Sequence, residues 1–144
     1  MKWFKRITIT IILLIFVAIG LVYLLLSSSK AQLDGSIHAS TLSAPVSIAR
    51  DQYGLAKFSG SNQLDAFYAQ GYAHAQDRFF QMDLLRRNAA GELSELFGPA
   101  ALSRDKKARF HQFRQRAQRA FTLFSGKQQA IVESYTRGVN FETY

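Results

Sequence analysis

Residues 62–91 read NQLDAFYAQGYAHAQDRFFQMDLLRRNAAG, and within them apolar or small side chains recur at Leu64, Phe67, Tyr68, Gly71, Tyr72, Ala75, Phe79, Met82 and Leu85. Steps of three and four residues place these positions on one side of an α-helix, so the spacing predicts an amphipathic helix of about six turns. Ser61 or Asn62 can cap its first amides, and Asp65 in the first turn suits the positive end of the helix dipole. Gly91 stops it, because glycine takes the left-handed conformation after a last turn without steric cost. A long helix with one apolar side needs a neighbour, and the rest of the chain is read for what can supply it.

Upstream the period changes to two. Val46 to Asp51 alternates apolar with small or polar residues, Gln52-Tyr53-Gly54 is a turn signal, and Leu55 to Ser59 resumes the alternation. This is the pattern of a β-hairpin or two edge strands. Downstream, Glu92 to Phe97 reads as a short helical turn closed by Gly98-Pro99. A further helix begins at Ser103, with Phe110, Phe113, Ala117, Phe121 and Phe124 on one side and Arg104, Lys107, Arg109, Arg114, Arg116 and Arg119 around the rest. Ser125-Gly126-Lys127-Gln128 has capping-box spacing and opens a last helix carrying Ile131, Tyr135, Gly138 and Val139. The fold class is α+β, mostly helical with one short hairpin. Its helices have too little sheet to cover their apolar faces, so the sequence reads as the truncated start of a larger domain.

The first thirty residues differ in kind. Ile7 to Leu26 is a run of 20 residues with no charge. At about 1.5 Å per residue such a helix matches the roughly 30 Å hydrocarbon core of a bilayer. Lys2, Lys5 and Arg6 precede the run and Lys30 follows it, which places the N-terminus in the cytoplasm and the bulk of the chain outside. The expected organisation is a signal-anchor over residues 1–30, a linker over 31–45 and a partial domain over 46–144. The location is then the inner membrane, single-pass through residues 7–26, with the C-terminal part periplasmic. The alternative is secretion to the periplasm after cleavage, since Ser29-Lys30-Ala31 offers small residues just before Gln32.

Charge and composition narrow the chemistry. Of the formal +8, Lys2, Lys5, Arg6 and Lys30 supply +4; Arg104 to Arg119 holds seven basic residues against Asp105, so the remainder sums to −2. With no cysteine, disulfides, zinc-thiolate sites and thiol nucleophiles are excluded. With 19% charged residues, 13% aromatics and two prolines, the chain does not have a disordered composition. Phosphate-binding glycine loops, His-Glu-x-x-His and Gly-x-Ser-x-Gly are absent from the sequence. His74 and Asp77, three apart, can share a helix face, but two ligands are too few for a metal and a hydrogen-bonding role is the simpler reading. Asp83 with Arg86 or Arg87 reads as an ion-pair ladder. The basic helix at 104–119 suits anionic lipid or nucleic acid; its phenylalanines are more simply a core stripe, and no nucleic-acid motif accompanies it.

One longer pattern carries more. Arg50-Asp51-Gln52-Tyr53-Gly54, Asp65-Ala66, the block Gly71-Tyr72-Ala73-His74-Ala75-Gln76-Asp77-Arg78-Phe79-Phe80-Gln81-Met82-Asp83, Arg86-Arg87 and Gly91-Glu92-Leu93-Ser94-Glu95-Leu96-Phe97-Gly98 stand in order, followed by Asp105, Arg109, Tyr135 and Gly138-Val139-Asn140. This resembles the start of the α-subunit of the penicillin acylase family, over about Val46 to Asn140. The resemblance implies an N-terminal nucleophile hydrolase of αββα fold, a precursor that cleaves itself to expose a serine at the start of the β-subunit. That serine attacks an amide carbonyl with its own α-amino group as base, oxyanion donors stabilise the intermediate, and water hydrolyses the acyl-enzyme. Linear amides such as penicillins or acyl-homoserine lactones are thereby split into acid and amine.

The resemblance places no catalytic, substrate-binding or metal residue in these 144 positions. It implies a β-subunit from the same precursor as partner, no cofactor on this stretch, and allows calcium in the full-length protein. The stretch alone is expected to be inactive and poorly soluble, with Phe67, Tyr72, Phe79 and Phe113 lacking a covering layer. The rival expectation is a single-span membrane protein whose basic amphipathic helix binds anionic lipid or a partner subunit.

Overall fold

Val46–Arg50 (β1) and Ala56–Gly60 (β2) form an antiparallel pair in the computed structural model, with Val46 opposite Gly60, Ile48 opposite Phe58 and Arg50 opposite Ala56. The structure describes residues 2–28 and 33–141. The turn between the strands is closed by Asp51, whose carboxylate accepts the amides of Tyr53 and Leu55, while Gly54 takes φ +78°. Val46, Ile48, Ala56 and Phe58 are half-buried and the residues between them are exposed, the alternation expected of a sheet covered on one face.

Gln63–Ala90 (α2) follows, capped by Asn62, whose side chain accepts the amide of Asp65, and ended by Gly91 at φ +72°. Both termini are where local chemistry puts them. The interior is not uniform: Arg78 has φ −156° and ψ 33°, so two helical stretches meet there, and Phe79, Phe80 and Leu85 beyond it are exposed rather than on the buried stripe. The buried part of α2 is its first half, at Asp65, Tyr68, Ala69, Gly71 and Ala73.

Ser94–Phe97 (α3) and a 3₁₀ turn over Gly98–Ala101 lead into Leu102–His111 (α4) and Phe113–Thr122 (α5). The sequence predicts one continuous helix here; the structure divides it at Gln112, which is left-handed at φ 54°. Tertiary ties account for the division. Arg109 donates to the carbonyl of Gly91 and Arg114 forks onto the carboxylate of Glu92, so two side chains five residues apart reach adjacent residues. On a straight helix they would diverge by about 140°. A second difference is burial. Phe110, Phe113 and Phe124 are exposed and Phe121 is half-buried, so the aromatic stripe read as core is not a core among the described residues.

Gly126–Val139 (α6) opens on a complete capping box between Ser125 and Gln128 and packs against α2. The contact is unusually close. A Cβ on Gly71 would overlap the carbonyl of Tyr135, and one on Gly138 would overlap the carbonyl of Tyr68, so the helices cross backbone to backbone. Tyr68 and Tyr72 meet Phe141 edge-on at 6.3 and 5.7 Å, and Ser134 donates to the carbonyl of Leu64 at 2.8 Å. Among the described residues, the buried apolar ones are Tyr68 and the alanines at 69, 73, 101 and 108. A core of one tyrosine and small side chains leaves much large apolar surface outside it.

Residues 1–37 form a unit of their own. Its helix Lys2–Ser28 (α1) contains a stretch, Trp3–Ser27, long and apolar enough to cross a membrane, a test that a signal sequence also passes. Thr8 and Thr10 donate to the carbonyls of Phe4 and Arg6, so neither hydroxyl needs water. The cleavage candidate at Ser29-Lys30-Ala31, like Glu142 to Tyr144 at the end of the chain, lies outside the described residues.

Candidate functional site

The charged residues of the long pattern and His74 converge on three ties and one corner. Asp77 receives a two-pronged hydrogen bond from Arg50, at 2.8 and 3.1 Å, and Arg50 also donates to the carbonyl of Gly54. This pair fastens the hairpin to α2 just before the distortion at Arg78. His74 turns elsewhere. Its Nδ1 lies 3.0 Å from the Tyr135 hydroxyl and the two rings meet edge-on at 5.8 Å, joining α2 to α6. The two residues that sequence spacing would place on one face thus serve different neighbours. Burial, with Arg78 adding to it, holds the His74 imidazole below its ordinary value, and Asp77 opposes the shift.

The third tie is Asp65, only 5% exposed. It accepts the amides of Ser43 and Ala44 and the hydroxyl of Ser43 at 2.6 Å, and Asn62 donates to it as well. Those hydrogen bonds, the Ser43 hydroxyl foremost, hold its carboxyl below the usual aspartate range in spite of burial. The sequence reading gave Asp65 to the helix dipole; it also pins the end of the connector, residues 43–44, to the start of α2.

The corner lies where α2, α3, α4 and α5 meet. Asp83 takes Arg86 and Arg87 together, as the ion-pair ladder requires, and Arg87 reaches on to Glu95 at 2.5 Å. Arg87, more than Arg86, lowers the Asp83 carboxyl, and Arg114 lowers that of Glu92. Asp105 is 2% exposed. Burial pushes its carboxyl up, but hydrogen bonds from Ser94 and the amide of Leu93 outweigh that and leave it lowered. Asp105 therefore caps the turn entering α3 from a helix twelve residues on, a role that no local spacing reveals. Gly91 completes the corner, since a Cβ there would press on Arg109 and on the carbonyl of Asp105.

These arrangements position backbone. Buried side-chain polar atoms are all partnered among the described residues. No group of three or more His, Cys, Asp or Glu able to hold a metal ion occurs among them. Asp65 and Asp105 point their oxygens at N–H and O–H donors of neighbouring elements.

A model of the penicillin amidase family matches residues 45–142, which is nearly all of the unit built around α2. The chain belongs to the penicillin amidase family. It is 36% identical over 115 residues to penicillin acylase 2 proenzyme of Pseudomonas sp. (strain SE83), a match covering 80% of this chain and 15% of that protein. The acyl-homoserine lactone acylase QuiP of Pseudomonas aeruginosa is 40% identical over 103 residues, covering 72% of this chain and 12% of that one. Among solved structures, thermostable penicillin G acylase from Alcaligenes faecalis superposes with a TM-score of 0.63 at 31% identity, over 69% of this chain and 53% of that chain. The fold of this penicillin amidase segment is therefore the expected one, mostly helical with a short two-stranded sheet. The segment spans about an eighth of the length of the curated relatives it matches.

Proposed function

We propose that this chain is the opening part of the α-subunit of an amidase precursor that hydrolyses the linear amide C–N bond of N-acylated substrates such as penicillins or acyl-homoserine lactones. The observation that carries the reading is the match over residues 45–142 to a family whose similar members are named as penicillin and acyl-homoserine lactone acylases. The geometry agrees with a scaffold role: Arg50, Asp65, Asp77 and Asp105 hold elements together, and Asp83 accepts from the Arg87 that reaches Glu95. The serine nucleophile and the oxyanion donors then belong to the β-subunit of the same precursor, and any calcium to residues outside these. The stretch by itself is inactive. Residues 7–26 anchor it in the inner membrane, with the α2 unit on the periplasmic side.

The test is to express the whole reading frame and to assay release of primary amine from a penicillin and from an acyl-homoserine lactone, beside the 144-residue chain alone. Turnover by the former and none by the latter is the expected result. A processed full product that releases no amine from either substrate class overturns the assignment, and turnover by the 144-residue chain overturns the scaffold role.

A further inference from the structure

The break at Gln112 turns aromatic side chains outward. Phe110 and His111 meet edge-on at 5.7 Å, and His111 stacks on Phe113 at 5.2 Å with ring planes 25° apart. Phe110 is 84% exposed and Phe113 50%, and no residue of α5 is buried. Around α5, Phe113, Ala117, Ala120 and Phe121 share one face, with Arg114 and Arg116 at its two edges. Leu123, just past its end, is 84% exposed. Seven basic residues between 104 and 119 face one acid, Asp105, which is buried and already engaged. Arg104, Arg109 and Arg114 are bound to Asn88, Gly91 and Glu92; Lys106, Lys107, Arg116 and Arg119 form no ion pair among the described residues.

Charge separates this surface from the other exposed ridge, Phe79 and Phe80 on α2. At that ridge Asp77 and Asp83 are taken by Arg50 and by Arg86 and Arg87, which leaves Arg78 as one cation there without an ion pair among the described residues, against four at the knuckle, so an apolar layer over it strands far less charge. A protein layer over Phe110 and Phe113 would have to desolvate several cations that lack partners. A phospholipid surface takes the rings at the depth of the headgroups and neutralises the cations in the same place. We propose that the α4–α5 knuckle docks on an anionic phospholipid surface, through Phe110, Phe113 and Leu123 with Lys106, Lys107, Arg116 and Arg119. The inference stands apart from amide hydrolysis and does not depend on it.

Because the chain has no cysteine, Leu123→Cys gives a single labelling site, here for an environment-sensitive fluorophore. The full chain is placed in neutral phosphatidylcholine vesicles, in vesicles with added phosphatidylglycerol, and in detergent, with Lys57→Cys on the hairpin as the control. The expected result is a blue-shifted, brighter probe at position 123 in the anionic vesicles only. The shift is lost at 1 M NaCl, where the Debye length is about 3 Å, and in the Arg116→Glu, Arg119→Glu double variant. A probe that is wet in all three settings overturns the proposal. So does one that is dry in all three, which would show a second copy or another part of the polypeptide covering the face.

Discussion

Gly71 and Gly138 are reciprocal: each lies against the backbone of the other's helix, Gly71 under the carbonyl of Tyr135 and Gly138 under that of Tyr68. An alanine at either position would gain up to about 1 kcal/mol in helix propensity. The overlap is with backbone, which cannot rotate away, so separation of the helices decides the sign. Gly71→Ala and Gly138→Ala are each expected to destabilise by roughly 1–3 kcal/mol. The double variant should cost less than the sum, because one separation relieves both overlaps. Denaturant midpoints check this, and an unchanged or raised midpoint for Gly71→Ala would show that the crossing is looser than described.

Asp65 and Asp105 both have carboxyls lowered by the hydrogen bonds they accept. A lowered folded value means that the unfolded chain binds the proton more readily, so their contribution is complete above the ordinary aspartate value of about 3.8 and fades as pH falls through the lower folded value. Asp65→Asn and Asp105→Asn should therefore be less stable than the parent at neutral pH and approach it in acid. Melting curves between pH 7 and pH 2 read the convergence; parallel curves would contradict it.

His74 behaves in the opposite pH sense from a salt-bridged histidine. Its folded value is depressed by burial, so the unfolded chain takes the proton first and stability declines as pH falls below the ordinary histidine value of about 6.5. Replacing Tyr135 by Phe removes the hydroxyl partner and should cost about 1 kcal/mol at neutral pH. Midpoints at pH 7.5 and 5.5, for the parent and for His74→Gln, separate the two effects.

The fork from Arg50 to Asp77 is partly exposed, which limits its worth. A double-mutant cycle with Arg50→Ala and Asp77→Ala is expected to give a coupling of roughly 0.5–1 kcal/mol, the upper part of the range for exposed pairs because the geometry is two-pronged. A coupling of zero would mean that the hairpin is held to α2 by Ile48 and Phe58 rather than by charge.

What was legible in the sequence was what neighbours along the chain decide. The hairpin follows from alternation around Gln52-Tyr53-Gly54, a cap at Ser61 or Asn62 from their side chains, with Asn62 the one used, the end of α2 from Gly91, and the Ser125–Gln128 box from spacing alone. The features that were not legible depend on distant partners. No breaker residue marks Gln112, and the division accompanies the contacts of Arg109 with Gly91 and of Arg114 with Glu92. Arg50 and Asp77 are 27 positions apart, and Asp105 reaches back to Leu93 and Ser94 from a different helix. The glycines at 71 and 138 read as ordinary small residues in a stripe, since their reason is a backbone that the helix itself does not contain.

Phe80 is 66% exposed at the centre of the α2 ridge, and whether it is covered in the product of the whole reading frame is the most direct measure of the proposed scaffold role. With Phe80→Cys, the rate of reaction with a water-soluble maleimide is read at position 80 by peptide mapping, in the 144-residue chain and in the product of the whole reading frame. Fast labelling in the first and strong protection in the second is the expected result. Equal rates in the two, or a reading frame that supplies no further polypeptide, would contradict it.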